Sequence, residues 1–372
     1  MKFNPLSLFF SLNYTISEFY LSFKKLYIIS HILLFSLTIL SCESNINFYR
    51  PDLPEQLCTV GIIDADDTLS VNYQNPSLYN YLRFISFQKS YQSEYPEERD
   101  DSLRNFSFSI STQDKEIFSY YSDSVLKNLE TFKLPAVLDF ISGEKYFLKA
   151  HTEGLNDISA EIKVPNPPSK IIVNSVHKET EPAIQKPGCH FALDDSIKYA
   201  IIDISFNIEA SACYAILLEG TGFGSNYMFF SGFADFSVTN NNVMGFNAMV
   251  YGLKMFHLDC TGDINSLTKT SVKAFFFDGK NIQGDQCNII LSAKFNDSYS
   301  PFYVFTSFRI KLLSVPRELY QFEKSLYMYE KVAEDPFSEP VYLNGNIRNG
   351  NGIFAICRST TASIILPFPP MF

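Results

Sequence analysis

The side chains that could carry chemistry here are few, and their spacing decides what each can do. The chain holds 7 cysteines and 5 histidines. Cys42 directly follows Ile39-Leu40-Ser41. An aliphatic residue, a small residue and then cysteine is the arrangement of a bacterial lipobox, whose cysteine thiol is diacylated and becomes the first residue of the mature chain. Cys58, Cys189, Cys213, Cys260, Cys287 and Cys357 remain, an even number in a chain expected outside the reducing cytosol. They are candidate disulfide cysteines, and spacing does not choose among their pairings. None sits in a CxxC pair, so zinc and thioredoxin-type chemistry find no support.

The remaining candidates are weaker. His151, His177, His190 and His257 are dispersed, with no HExxH or GxSxG motif beside them. No local motif points to a nucleophile triad, although such partners need not be neighbours in sequence. Asp64, Asp66 and Asp67, and Asp194 with Asp195, offer the oxygens that calcium prefers, but neither group has the spacing of an EF-hand loop. They read as solvated turns. Gly220-Thr221-Gly222-Phe223-Gly224 lacks the GxGxxG spacing, and no helix pattern follows to bring N–H groups to a phosphate. The expectation is therefore no catalytic residue, no metal and no cofactor.

The leader supports the reading of Cys42. Lys24 and Lys25 precede the apolar run Leu26 to Ser41, which at 16 residues is short for a membrane-spanning helix of ~20. Residues 1–41 thus form a lipoprotein-type signal region. Residues 1–23 make either a long n-region or an over-extended start. Residues 42–56, with Pro51 and Pro54, form a lipid-anchored tether, and several acyl chains hold a protein far more firmly than one. The expected location is the outer membrane, lipid-anchored, facing the periplasm or the cell surface.

Composition bounds the rest. With 46% hydrophobic and 19% charged residues the chain is globular rather than disordered. Removing residues 1–41 leaves 27 basic against 39 acidic residues, a net charge of −12 where the whole chain carries −10. That balance argues against nucleic acid, whose phosphates need clustered Lys and Arg. Aromatic residues make up 16%, as 36 Phe and 22 Tyr without Trp. They fit an all-β core, where such rings are favoured. The competing reading is a platform for glycans or another ligand.

The elements that must position these residues are short strands. Phe106 to Ile110 alternates with period two, and Glu116 to Tyr121, Ala136 to Ile141, Lys145 to His151 and Ala160 to Val164 are further strand candidates. So many strands without interleaved helices predict an immunoglobulin-like β-sandwich over residues 57–164. Pro165-Asn166-Pro167-Pro168 reads as a stiff linker over residues 165–170. A second β domain is expected over 171–372, so the fold class is mainly β, two β-sandwich domains with one amphipathic helix near the C-terminus. That helix is expected at residues 314–332, capped by Ser314 with Pro316 in its first turn. Leu319, Phe322, Leu326 and Tyr329 mark its apolar face, with Glu323, Lys324 and Glu330 on the other side.

After the helix come Asp335-Pro336-Phe337-Ser338-Glu339-Pro340-Val341, then Asn346-Ile347 and Gly350-Asn351-Gly352-Ile353-Phe354. This run resembles the C-terminal signature of a Bacteroidota outer-membrane lipoprotein family catalogued as domain of unknown function 4249. It departs from the family pattern at Asn351, where a hydrophobic residue is more usual. The resemblance implies a two-part β protein on the outer membrane, often encoded beside TonB-dependent receptors, and brings no catalytic residues. The expected function is a non-enzymatic outer-membrane lipoprotein, an accessory or partner of a TonB-dependent transporter in nutrient uptake. The alternatives are a surface module binding a glycan, peptide or other ligand, and a hydrolase, which would need a pocket where histidines and carboxylates converge. The Gly and Asn residues of the signature read as turn formers.

Overall fold

Short apolar alternations separated by polar turns build strands over most of the described residues. The computed structural model describes residues 55–66, 83–90, 102–126, 130–135, 137–182, 196–224, 229–233, 236–239, 243–250, 272–297, 300–332 and 342–367. In chain order the first strands are β1 (Leu57–Asp64), β2 (Arg83–Lys89), β3 (Phe106–Ser111), β4 (Glu116–Ser122), β5 (Glu130–Lys133), β6 (Lys145–His151) and β7 (Ile158–Lys163). Then come β8 (Ile172–Pro182), β9 (Ser196–Asn207), β10 (Cys213–Gly224), β11 (Phe229–Phe233), β12 (Phe236–Val238) and β13 (Gly245–Val250). The last elements are β14 (Val272–Asp278), β15 (Gln286–Asp297), β16 (Ser300–Val315), helix α1 (Arg317–Val332) and β17 (Asn351–Ile365).

Among the described residues these strands form two sheets. One has four strands in the order β4-β3-β6-β7. The other has 13, with a main path β13-β14-β10-β16-β17-β1-β2-β5 and a branch in which β15 joins β16 to β9 and β8. The mainly β expectation therefore holds, and among the described residues the one long helix lies near the C-terminus as the pattern predicts.

Three apolar clusters hold the layers together. The four-stranded sheet packs on β1 and β2 through Phe106, Phe108, Ile110, Leu148, Ile162, Ile85 and Phe87. β9 and β15 face β10, β14 and β16 through Ile202, Ile204, Phe206, Ile289, Leu291, Ile216, Phe277 and Ile310. Helix α1 covers the opposite face of the large sheet with Leu319, Tyr320 and Phe322 against Ala215, Leu217, Phe276 and Ala355. β10 is buried on both faces: Cys213, Ala215 and Leu217 meet the helix side while Tyr214, Ile216 and Leu218 meet the other. A strand covered on both faces reads as a continuous apolar run rather than an alternation.

The domain plan needs revision. Strand β17, from the C-terminal end, pairs parallel with β1 from Cys58↔Asn351 to Asp64↔Cys357, and antiparallel with β16 from Ser307↔Ile365 to Ser314↔Arg358. It contributes Phe354 and Ile356 to the N-terminal cluster and Ile353, Ala355 and Cys357 to the helix-side cluster. Residues 57–164 thus do not complete a sandwich alone, and residues from Pro54 to Phe372 form one compact unit. The proline run is an irregular connection between β7 and β8, as expected of a linker, but it does not separate two independent bodies.

Other corrections are local. No strand forms over residues 137–141, and the partner of β2 in that region is β5 at Glu130–Lys133. Ser314 does not cap the helix: it lies inside β16, opposite Tyr214 and Arg358, and the Pro316 carbonyl accepts from the Tyr320 N–H at 3.1 Å. Tyr329 is 49% exposed, whereas Glu323 is 1% exposed. Glu323 stands one helical turn beyond Leu319, so position outweighs polarity. Residues 254–258, whose apolar pattern also reads as a strand, lie outside the described residues.

Candidate functional site

The first turn after β1 carries a dense polar cluster. Asp64 and Asp66, expected to be solvated, are drawn inward because β17 runs beside β1 and delivers Arg358 and Ser359 just past the paired segment. The Asp64 side chain is fully buried. Its Oδ2 meets Lys311 Nζ at 2.7 Å and accepts from Ser359 Oγ at 2.7 Å, while its Oδ1 accepts from the Asp66 N–H at 3.0 Å. Asp66 receives Arg358 in two-pronged fashion, from Nε at 2.8 Å and Nη2 at 2.7 Å, and also the Ser359 N–H at 2.8 Å. The bidentate contact with Asp66 raises the Arg358 pKa further above its ordinary value, against the opposing effect of burial.

Arg83, 2% exposed, completes the cluster by donating to the carbonyls of Asp64 at 3.2 Å, Ala65 at 2.8 Å, Pro135 at 3.1 Å and Leu138 at 3.4 Å. These contacts commit both carboxylates to side-chain cations and N–H or O–H donors. That corrects both the solvated-turn and the calcium readings for Asp64 and Asp66; Asp67, Asp194 and Asp195 lie outside the described residues.

A second feature is a cleft of about 500 Å³ walled by the proline run, the segment 207–214 and the junction of β16 with α1. Several of its polar groups are already bonded within the fold. Ser169 Oγ donates to the Asn207 carbonyl and accepts from the Asn207 N–H, each at 2.8 Å. The Glu209 N–H donates to the Tyr214 hydroxyl at 2.8 Å. Arg317 pairs with Asp278 at 2.9 Å; burial opposes ionisation of Asp278, but Arg317 and the Lys280 N–H outweigh it and hold the carboxyl below its usual value. Pro165, Pro167, Pro168 and Val315 supply apolar wall. The cleft can hold a small or extended ligand, but no nucleophile and base converge in it.

The other predicted residues are scattered. Cys58, Cys213, Cys287 and Cys357 are free thiols, so the candidate disulfides find no bridge among these four; Cys42, Cys189 and Cys260 lie outside the described residues. Burial pushes Cys213 up to about 11 and Cys287 up to about 12, and lifts Cys357 well above the ordinary thiol value, with Asp64 adding to the effect. Protonated, buried thiols are inert. His151 bonds Asp157 at 2.6 Å and His177 meets Glu179 at 3.5 Å, both on the exposed surface. His190 and His257 lie outside the described residues. Gly220 to Gly224 form part of β10, paired with β11 and β16, so this run is strand and not a phosphate loop.

The C-terminal signature has a structural role finer than turn formation. Asn349, at φ 59°, and Gly352, at φ 114°, do occupy left-handed backbone, and a side chain at Gly352 would collide with the Thr59 carbonyl. Asn346 instead imitates a strand partner: its Oδ1 accepts from the Phe354 N–H at 2.9 Å, and its Nδ2 donates to the Phe354 carbonyl at 2.8 Å. Asn351 donates to Gln56 Oε1 at 2.7 Å, joining the signature to the end of the tether. Residues 335–341 lie outside the described residues.

The residue that sequence reasoning missed is Lys311, hidden in an apolar strand and 4% exposed. Its signal was a charged residue between Ile310 and Leu312, but the exposed Arg309 interrupts the same apolar run, so charge alone did not tell the buried residue from the exposed one.

A comparison with known proteins gives a consistent answer. The family model described as a domain of unknown function, DUF4249, matches residues 98–363, and the chain belongs to that family. No curated protein matches it at a significant level.

Proposed function

We propose that this member of the DUF4249 family is a lipid-anchored, non-enzymatic protein of the outer membrane that serves a TonB-dependent transporter in nutrient uptake. The observation that carries the anchored reading is how the chain enters the fold. In sequence the lipobox Ile39 to Cys42 and the tether up to Gln56 immediately precede β1, which is flanked by β17 on one side and β2 on the other. Gln56 is itself held, its N–H by Ser90 Oγ at 2.8 Å and its side chain by Asn351. A pull along the tether would have to shear the ladders of Cys58 to Asp64 with β17 and of Leu57 to Ile63 with β2 together. An N-terminal lipid suits such a fold.

The aromatic content supports a core role over a platform. Phe87, Phe106, Phe108, Tyr120 and Phe132 pack ring against ring, as do Phe246, Phe276, Tyr320 and Tyr327. A second reading, a binding module for a small or extended ligand, draws on the cleft beside the proline run, and a ligand-dependent rise in Tm would reveal it.

The test of the main reading is affinity purification of the acylated protein from outer membranes with its neighbours identified. A TonB-dependent receptor is the expected companion, and reproducible recovery without one would overturn the transporter role. Cys42→Ser should release the protein from the membrane fraction, and continued fractionation with the outer membrane would overturn the anchor.

A further inference from the structure

We propose that Lys311 and Asp64 form an intramolecular isopeptide bond, an amide between Nζ and the side-chain carbonyl carbon that ties β16 to β1 across β17. The two side chains are 5% and 0% exposed, and Nζ lies 2.7 Å from Oδ2. They stand on the helix-side face of the sheet, beside Ile62, Leu313 and the buried Cys357. Both groups are shut away from bulk water, so a proton can pass from Nζ to Oδ2 within the pair. The amine and the acid formed by that transfer are the reactive forms for condensation.

The neighbours of Asp64 suit that step. The ammonium passes one proton to Oδ2, and the Nζ lone pair then attacks the carboxyl carbon. Negative charge gathers on Oδ1, which already accepts from the Asp66 N–H at 3.0 Å. A second proton from Nζ goes to the Oδ2 hydroxyl, which leaves as water, while Ser359 Oγ, at 2.7 Å, steadies the departing oxygen. One C–N bond forms, one C–O bond breaks, both hydrogens of the water come from the ammonium, and no oxidant or cofactor is needed. Arg358 engages Asp66 on both oxygens, which keeps that carboxylate from competing for Lys311. Burial and the Asp64 charge keep the Cys357 thiol protonated, so it does not compete as a nucleophile.

The bond would sit where an anchored protein needs it. β1 is the first strand after the tether, and the link would fix its far end to the long strand β16, bypassing the hydrogen bonds to β17.

The test is a mass measurement on the full chain, made in a lipoprotein-processing bacterial host and purified in detergent. Cleavage after Glu, Lys and Arg should yield a branched species in which Gln56–Arg83 and Ile310–Arg317 are joined and together lighter by one water than their sum. Trypsin would not cut after Lys311 in it. In Lys311→Arg, whose guanidinium preserves the charge but does not condense, Gln56–Arg83 should be released unlinked. Complete cleavage after Lys311 in the wild-type digest, with Gln56–Arg83 free, would overturn the proposal and leave an ion pair only. The wild-type digest decides the matter even if the variant folds poorly.

Discussion

Replacing Glu323 with glutamine should make this protein more stable, and increasingly so as the pH rises. Glu323 lies under helix α1 at 1% exposure, and its Oε2 has no hydrogen-bond partner. Burial, with a smaller push from Glu330, raises its pKa from the ordinary 4.5 to about 8. Between those values the folded chain keeps a proton that the unfolded chain has released, so stability is full below pH 4.5 and falls as pH climbs toward about 8. At ~1.4 kcal/mol per pH unit the whole gap amounts to about 5 kcal/mol, a large share of the stability of an ordinary domain. Glu323→Gln keeps the shape and removes the titration. Denaturant unfolding at a series of pH values should show the variant gaining on the wild type by about 3 to 4 kcal/mol between pH 5 and pH 8. A difference that stays constant with pH would refute the reasoning, because it would mean that the carboxyl ionises in the folded state as easily as in water.

Phe322→Ala should cost about 3 to 5 kcal/mol in the same assay, since the ring is 7% exposed between the helix and the sheet; a loss near zero would mean that the helix face is not packed. Asn346→Ala should cost about 1 to 3 kcal/mol by leaving the Phe354 N–H and carbonyl unpaired, and Asn346→Asp should restore only the acceptor half. Gly352→Ala should be destabilising by at least about 1 kcal/mol, from left-handed strain and collision with the Thr59 carbonyl, as read by a lowered Tm. Maleimide should fail to label Cys213, Cys287 and Cys357 in the native protein and label them on denaturation; rapid native labelling would contradict their burial.

Wherever local pattern was enough, the structure follows the sequence closely. The period-two run Lys145 to His151 is β6 residue for residue, and the helical spacing of Leu319 and Phe322 places both against the sheet. The lipobox reading of Cys42 and the family signature also come from local order alone, since each is a run of neighbouring residues. What local order does not carry is which distant strands meet. The pairing of β17 with β1 joins residues nearly the whole chain apart, and no period within either strand announces it. From that one pairing follow the single compact unit in place of two domains, the burial of Asp64 and the capture of Asp66 by Arg358. It also brings Lys311 within 2.7 Å of Asp64. Glu323 shows the same division on a smaller scale. Its polarity marked it for solvent, but the breadth of the sheet under the helix buried it. The sequence by itself determined most of the strands, the helix and the family, because these depend on neighbours. Only the tertiary structure decided which charges lie in the core, because burial depends on what the rest of the chain lays on top.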